Sequence, residues 1–407
     1  MGYCIYISFA AVYLQALGYN NTELGLILAT GNLLSTVLAP VLASFVDRFE
    51  EVTPARIIPV LLCMQAVIYA GLMQMRMRGT IATVLFIACI ACSFPVNSMN
   101  LKLYVDAVHR GGTIDYGLAR GSGSLFYVLL SFSLGVITSR STVLIVPYAG
   151  ILTTLLQLLA HVLFVRASDA STGSVPGADL HMKETYGQTR SAADAQPQHS
   201  GTQSPQGLTL QEFALRNLRF CRLLFGIAML FFSHNVCVNF MINVAQNVGG
   251  GTAEMGYFNA FTAAVEIPVM MLFSKTAAKY DVRRVLYVSF AAFAVKGIAI
   301  AAAGSIPVLY AAFLLQAPSF ALFTAAVVPY VDQTIALNDS AKAQSLAFSM
   351  TTVGSVFASV VGGYLYDRVS VTQTLVFAAG LGIAGCAIAA SGVAEKTEPG
   401  NREDNRS

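Results

Sequence analysis

MLFFSHNVCVNFMINVAQNVGGGTAEMGYFNAFTAAVEIPVMMLFSK, running from Met229 to Lys275, decides how the rest of the chain is read. It holds two apolar runs of about 20 residues, each long enough as helix to cross a hydrocarbon core of roughly 30 Å. A glycine-rich turn at residues 249 to 251 joins them. Both runs carry groups that hydrocarbon penalises: His234 with Asn235, Asn239, Asn243 and Asn247 in the first, Asn259 and Glu266 in the second. Polar side chains at that depth must face other helices or a wet cavity. The three glycines read as a turn and not as a phosphate cradle, because no GxxxxGK[ST] pattern occurs anywhere in the chain.

The rest of the chain has the same character. Of 407 residues, 56% are hydrophobic and 11% charged, against about 25% charged in a soluble domain, so the expected class is an all-α polytopic membrane protein. A net charge of +3 is too small for a nucleic-acid surface. Trp is absent, which leaves Tyr to form the interfacial belts. The seven Cys lie in or beside apolar runs, and the Cys89/Cys92 pair reads as small packing residues, not as a metal or redox site. No metal, no cofactor and no disulfide framework is expected.

Twelve runs can be marked. Six lie at Met1 to Gly18, Leu24 to Val46, Ile57 to Met75, Thr80 to Asn100, Gly117 to Thr138 and Val143 to Val165. Six more lie at Arg222 to Gly249, Met255 to Ala277, Val285 to Ala303, Ile306 to Tyr330, Ser345 to Tyr366 and Val371 to Val393. Between the sets, Ala167 to Gln211 is rich in Ser, Thr, Gly, Gln, Asp and Pro and cannot bury a core. The expected organisation is a six-helix bundle over residues 1–166, a disordered linker over 167–215, a second bundle over 216–394 and a solvated tail over 395–407. Arg48, Arg56, Arg110, Arg216, Arg219, Lys275, Lys279, Arg283, Arg284 and Lys342, among others, fall on the side of the termini, with only Arg76, Arg78, Arg140 and Arg368 opposite. The positive-inside rule then makes both termini and the linker cytoplasmic in a plasma-membrane protein. The first run starts at Met1 with no basic flank, so helix 1 either is cut short by the choice of start or begins flush with the membrane; no small-residue cleavage site marks a signal peptide.

Short motifs recur between the two sets at offsets of 226 to 231 residues. Glu23-Leu24-Gly25 returns as Glu254-Met255-Gly256, Pro40-Val41 with Phe45 as Pro268-Val269 with Phe273, Tyr104-Val105-Asp106 as Tyr330-Val331-Asp332, and Gly123 to Phe126 as Gly354 to Phe357. Four matches in one order, each in the equivalent helix, argue for two parallel repeats with a solute site between them near the midplane.

With these features the chain resembles the major facilitator superfamily. Ala43 to Arg48 with Arg56 is similar to the superfamily's loop signature between helices 2 and 3, and Ser274 to Arg284 to a second copy between helices 8 and 9. The segments DYGLARGSGSLFYVL, FFSHNVCVNF, EMGYFNAFTAAVEIPVM and QAPSFALF resemble the branch of lactose permease and the phenylpropionate-type permeases. The resemblance implies twelve helices in two pseudo-symmetric bundles, and secondary active transport of a small organic solute, a sugar, glycoside or organic acid. It implies proton-coupled symport by alternating access in a monomer. It makes Arg120, in the frame Tyr116 to Arg120, the match to that branch's substrate-binding Arg, and Glu266 the match to its helix 8 carboxylate. Lys102 with Asp106 stands where the branch has a helix 4 carboxylate, Gln316 and Ser319 where lactose permease has its helix 10 His and Glu, and Lys296 where it has a helix 9 Arg. These departures argue against lactose and that relay.

Candidate roles follow. An isolated mid-span carboxylate exchanges protons readily, so Glu266 is the expected proton carrier, with His234 as the second. The alternative is a structural ion pair of Glu266 with Lys296 on the next helix, and one pair can serve both roles. Arg120, Ser124, Asn32, Asn100, Asn235, Asn239, Asn259 and Gln316 are expected to hold solute, with Gln15 and Asn97 as further contacts, although interhelical amide bonds are the common use of such residues. Asp47, Arg48, Lys102, Asp106, Lys296 and Asp332 are the expected ion-pair and gate residues, Lys102 and Asp106 standing one turn apart. An exporter of amphipathic compounds and a non-transporting membrane sensor are the alternatives. An enzyme is not expected, since no nucleophile with a nearby base is marked.

Overall fold

A computed structural model describes residues 2, 4–49, 52–109, 116–171, 210–276 and 280–393. Twelve rods cross it. The first six are α1 (Cys4–Ser8 as a π turn, then Ala10–Ala16), α2 (Asn21–Arg48), α3 (Pro54–Met73), α4 (Thr80–Ala91 and Ser93–His109), α5 (Tyr116–Arg140) and α6 (Val146–Ser171). The last six are α7 (Leu218–Asn239 and Met241–Asn247), α8 (Thr252–Thr276), α9 (Val282–Ala301), α10 (Ile306–Phe313, a π turn Ala317–Ala321, and Leu322–Thr334), α11 (Leu337–Arg368) and α12 (Val371–Gly392). Among the described residues ten spans are long and apolar enough to cross a membrane; the short α1 and the polar-marked α8 pack among them. The chain is an all-α multi-pass membrane protein.

Helix ends follow local chemistry. Asn20 and Glu23 form a reciprocal capping box at the start of α2, and Ser370 and Gln373 form another at α12. The helices run past the apolar segments that mark them, because hydropathy reports the hydrocarbon crossing and not the hydrogen-bonded rod. Thus α11 begins eight residues before Ser345, at Leu337. The expected linker is also shorter than its composition implies at its far end: Leu210–Arg216 is helical, and Phe213, 1% exposed, is held edge-on by Phe220 at 5.9 Å. Residues 172–209 and the tail from 394 lie outside the described residues.

Two rods break beside the centre of the molecule, each at a Pro: α4 before Pro95 and α10 at the π turn holding Pro318. A Pro lacks the N–H that the ladder needs and crowds the preceding turn. A π turn of this kind redirects the side chains beside it, here Gln316 and Phe320. A third break, at Phe240 in α7, has no proline; its φ of −120° and ψ of 34° leave the helical region.

The two sets of six helices meet along α2/α11 and α5/α8. The repeated Glu-x-Gly motif explains both seams. Glu23 takes the Asn20 N–H at 3.0 Å, and Glu254 takes the Gly251 N–H at 2.7 Å, each capping its own helix. Two residues on, glycine permits backbone contact: a Cβ on Gly25 would overlap the Ser359 carbonyl, and one on Gly256 would lie 2.5 Å from the Gly135 Cα. Gly256→Leu should therefore lower stability by about 1–3 kcal/mol through overpacking, seen as a lower Tm in nanodiscs.

Candidate functional site

Between the two sets lies a cavity of about 650 Å³. From the first six helices it is lined by Ile7, Asn32, Phe94, Asn97, Gly123, Ser124 and Tyr127; from the last six come amides, hydroxyls, aromatics and two ions. Of the residues expected to hold solute, Asn32, Ser124, Asn235, Asn239, Asn259 and Gln316 line it. Asn100 does not: it is exposed on α4, whereas Asn97, one turn earlier and nearer the break, faces the cavity. Arg120 belongs to α5, but its side chain lies outside the described residues, as does that of Asp47.

The helix 7 amide stripe divides at the Phe240 break. Asn235 donates to the Phe231 carbonyl at 2.8 Å and Asn239 to Ser359 Oγ at 2.8 Å, both beside the cavity. Asn243 instead donates to Asn21 Oδ1 at 3.0 Å and accepts from Gln15 at 2.9 Å, and Asn247 reaches Thr372 at 3.4 Å. Those last two, with Gln15, tie helices together at the end where α2 begins and α11 finishes. The break turns the second segment of α7 off the register that a continuous helix would keep.

The ions form a chain across four helices. Lys296 Nζ on α9 lies 3.2 Å from His234 Nδ1 on α7 and donates to Gln316 Oε1 on α10 at 2.9 Å. Gln316 Nε2 donates to Glu266 Oε1 on α8 at 2.6 Å. The amide suits this position because its oxygen faces the cation while its NH2 faces the anion. The expected Glu266–Lys296 partnership thus exists through Gln316, not by direct contact. Lys296 is 3% exposed and its ammonium sits 4.7 Å from the Phe293 ring centroid, a cation–π contact inside the aromatic group of Phe231, Phe293 and Phe320 around His234. With Lys296 as the ammonium donor, Nδ1 of His234 is the acceptor in this contact.

One lining amide is unsatisfied. Asn259 is 3% exposed and its Nδ2 has no hydrogen-bond partner. Such an orphan costs about 1–3 kcal/mol, and it stands one turn inside the α5/α8 seam, two turns from Glu266 on the same helix face.

Of the expected ion-pair and gate residues, Lys296 lies in this chain of ions and the others described lie elsewhere. Lys102 and Asp106 are half-buried on α4. Asp332 is held within its own set of helices, by Ser340 and by Gln344 Nε2 at 2.7 Å. Arg48 is exposed, 6.0 Å from the Phe49 ring. The described hydrogen bonds that cross between the two sets gather at the opposite end, where Asp367 of α11 accepts from Asn21 and Thr22 of α2. Sequence reading passed over Asp367. The signal that could have found its partner is the Asn20 to Glu23 capping box, which marks a helix start with two further N–H groups to satisfy.

Solved structures share this architecture. A crystal structure of a mutant of the nucleoside transporter NupG matches with a TM-score of 0.74 at 13% identity, covering 96% of each chain. NupG itself matches with a TM-score of 0.69 at 14% identity, covering 97% of each. At that identity the likeness concerns the fold alone. A curated relative, the "Putative sugar efflux transporter" of Deinococcus radiodurans, is 29% identical over 140 residues, which span 34% of this chain and 35% of that protein. The twelve-rod fold, the two repeats and the central cavity come together in one assignment: over residues 5–377 the chain matches, and belongs to, the MFS_1 like family, a family of the major facilitator superfamily.

Proposed function

We propose that this protein is a secondary transporter of a small, uncharged, polyhydroxylated solute, a sugar, glycoside or nucleoside, coupled to protons through Glu266. The observation that carries this reading is the composition of the cavity. Among its described lining residues the acidic and basic side chains are Glu266, Lys296 and His234, with Lys296 bonded to His234 and joined to Glu266 through Gln316. What remains for a solute is neutral: Asn32, Asn97, Ser124, Asn239, Asn259 and the hydroxyls of Thr351, Thr352 and Ser355. Amides and hydroxyls donate and accept in turn, as ring hydroxyls require, while Phe94, Phe313 and Phe320 offer faces to an apolar ring surface. An organic acid would fall to Arg120, whose side chain lies outside the described residues, and the described lining offers it no further cation. The names of the sugar and nucleoside transporters that resemble the chain support the same class.

The proton would reside on Glu266, and Gln316 would report its charge to the Lys296–His234 pair. The two bundles would rock around the cavity, residues 1–166 against 216–394, with both termini cytoplasmic in a plasma-membrane protein acting as a monomer. Import with protons is the primary reading. Export in exchange for protons is the second, favoured by the efflux activity in the name of the curated relative.

Purified protein in nanodiscs, screened by thermal shift against neutral glycosides, nucleosides and organic acids, tests the class. Stabilisation by neutral polyols is expected; stabilisation by organic acids alone would sink it. Asn259→Leu separates solute binding from structure. Removal of an unsatisfied buried amide should leave stability equal or higher by about 1 kcal/mol, while the affinity for the best solute falls roughly tenfold. A parallel fall in Tm and affinity would make Asn259 structural.

A further inference from the structure

The end of the molecule at which the bundles meet is fastened by two seams of different chemistry. At the start of α2 four backbone N–H groups have no partner inside the helix, and each can be accounted for. Asn20 N–H goes to Glu23 at 3.0 Å and Glu23 N–H to Asn20 Oδ1 at 2.8 Å, both within the same helix. The other two go to the opposite bundle: Asp367 Oδ1 accepts from Asn21 N–H at 3.0 Å, and Oδ2 from Thr22 N–H at 2.7 Å. The same carboxylate also accepts from Asn21 Nδ2 at 2.9 Å and from Thr22 Oγ1 at 2.6 Å. Four donors thus converge on one carboxylate across 345 residues of sequence, and the positive end of the α2 dipole adds to them.

Among the described residues the pseudo-symmetric seam has no comparable set of hydrogen bonds between the bundles. The start of α8 is capped by its own Glu254, and it meets α5 through backbone contact at Gly135 and Gly256. The α2/α11 seam also contains the network that aims Asn21. Gln15 Nε2 and Asn243 Nδ2 both donate to Asn21 Oδ1, at 2.8 Å and 3.0 Å, which turns Asn21 Nδ2 toward Asp367. The charges facing this corner from neighbouring segments are already engaged: Arg78 with Glu23 at 3.4 Å, and Arg368 over the Tyr364 ring at 5.4 Å.

We propose that Asp367 is an interbundle latch that holds this end of the transporter closed by completing the N-terminal cap of α2. When the bundles part at this end, α2 loses half of its cap and water must replace it. When they close, the cap is restored. The latch is exposed to solvent, so its strength comes from the number of converging donors and not from burial. It biases which side of the membrane the cavity faces without touching solute, and it does not depend on the identity of that solute.

The test measures the opening of this end directly. Spin labels at Met77 and Ser305, exposed turn positions on the two bundles at this face, report interbundle distance in nanodiscs by double electron–electron resonance. Wild-type protein should give mainly the short separation. Asp367→Asn keeps one acceptor oxygen but turns an NH2 toward the two Thr22 donors, and should raise the long-distance population roughly tenfold, the equivalent of about 1.4 kcal/mol. Glu254→Gln, which weakens a cap within one bundle, should leave the distribution unchanged. Thr22→Val should produce part of the Asp367→Asn shift and add little to it in the double variant. A distribution in Asp367→Asn that superimposes on wild type overturns the latch. If that variant is not recovered folded, an unchanged distribution in Thr22→Val overturns it equally.

Discussion

Glu266→Gln should reduce gradient-driven accumulation of solute to an inside-to-outside ratio of about one, while binding and exchange down the solute's own gradient persist. Glutamine keeps an acceptor oxygen for Gln316 Nε2, which now bonds Glu266 Oε1 at 2.6 Å, and it matches the carboxylate in size. The cavity wall and the link to α10 are retained. What disappears is the titratable proton. A proton moving with each solute across about 100 mV supplies about 2.3 kcal/mol, enough for roughly fiftyfold accumulation, so the loss is large against assay noise. The measurement is uptake into proteoliposomes under an imposed potential, compared with counterflow in the same preparation. Equal loss of counterflow would mean that Glu266 binds solute or supports the fold and carries no proton.

The largest effect on stability is expected at Lys296, not at any residue of the seams. Lys296→Met leaves Gln316 Oε1 without its donor, leaves His234 without its ammonium partner, and removes the cation at the far end of the amide bridge from Glu266. Breaking a buried pair by deleting one partner costs about 3–5 kcal/mol. Glu266 is only half-buried, so the lower part of that range is expected. Adding Glu266→Gln should restore most of the loss, because a neutral amide facing Gln316 leaves no uncompensated charge. Thermal unfolding of the two single variants and the double variant closes the cycle. Additive losses would show that the two ends of the bridge do not communicate.

Much of the architecture could be read from sequence because the bilayer forces it. A span must be helical and about 20 residues long, so hydropathy alone delimits most rods, and the repeated Glu-x-Gly motif places two of them in register. In the structure that motif caps α2 and α8 and lets each pack against a helix of the other bundle, a role for glycine that no composition count conveys. The site was legible as a list of polar residues but not as an arrangement. A four-residue amide spacing implies one face only while the helix continues, and the backbone departs from helix at Phe240, so Asn243 and Asn247 serve the seam instead of the cavity. Glu266 and Lys296 were readable as opposite charges on neighbouring helices; the intervening Gln316 depends on a π turn created by Pro318. Asp367 read as one more charge at a helix end, since its partners lie 345 residues away and only the meeting of the bundles reveals them.

The most direct test of the central claim is proton movement driven by solute alone. Proteoliposomes enclosing a pH-sensitive dye, with no imposed pH gradient or potential, receive an inward gradient of the neutral solute that best stabilises the protein. The account predicts an internal pH change that begins with solute entry, acidifying for symport and alkalinising for exchange, and that is absent in Glu266→Gln liposomes. Solute entry with no pH change in wild-type liposomes would contradict it.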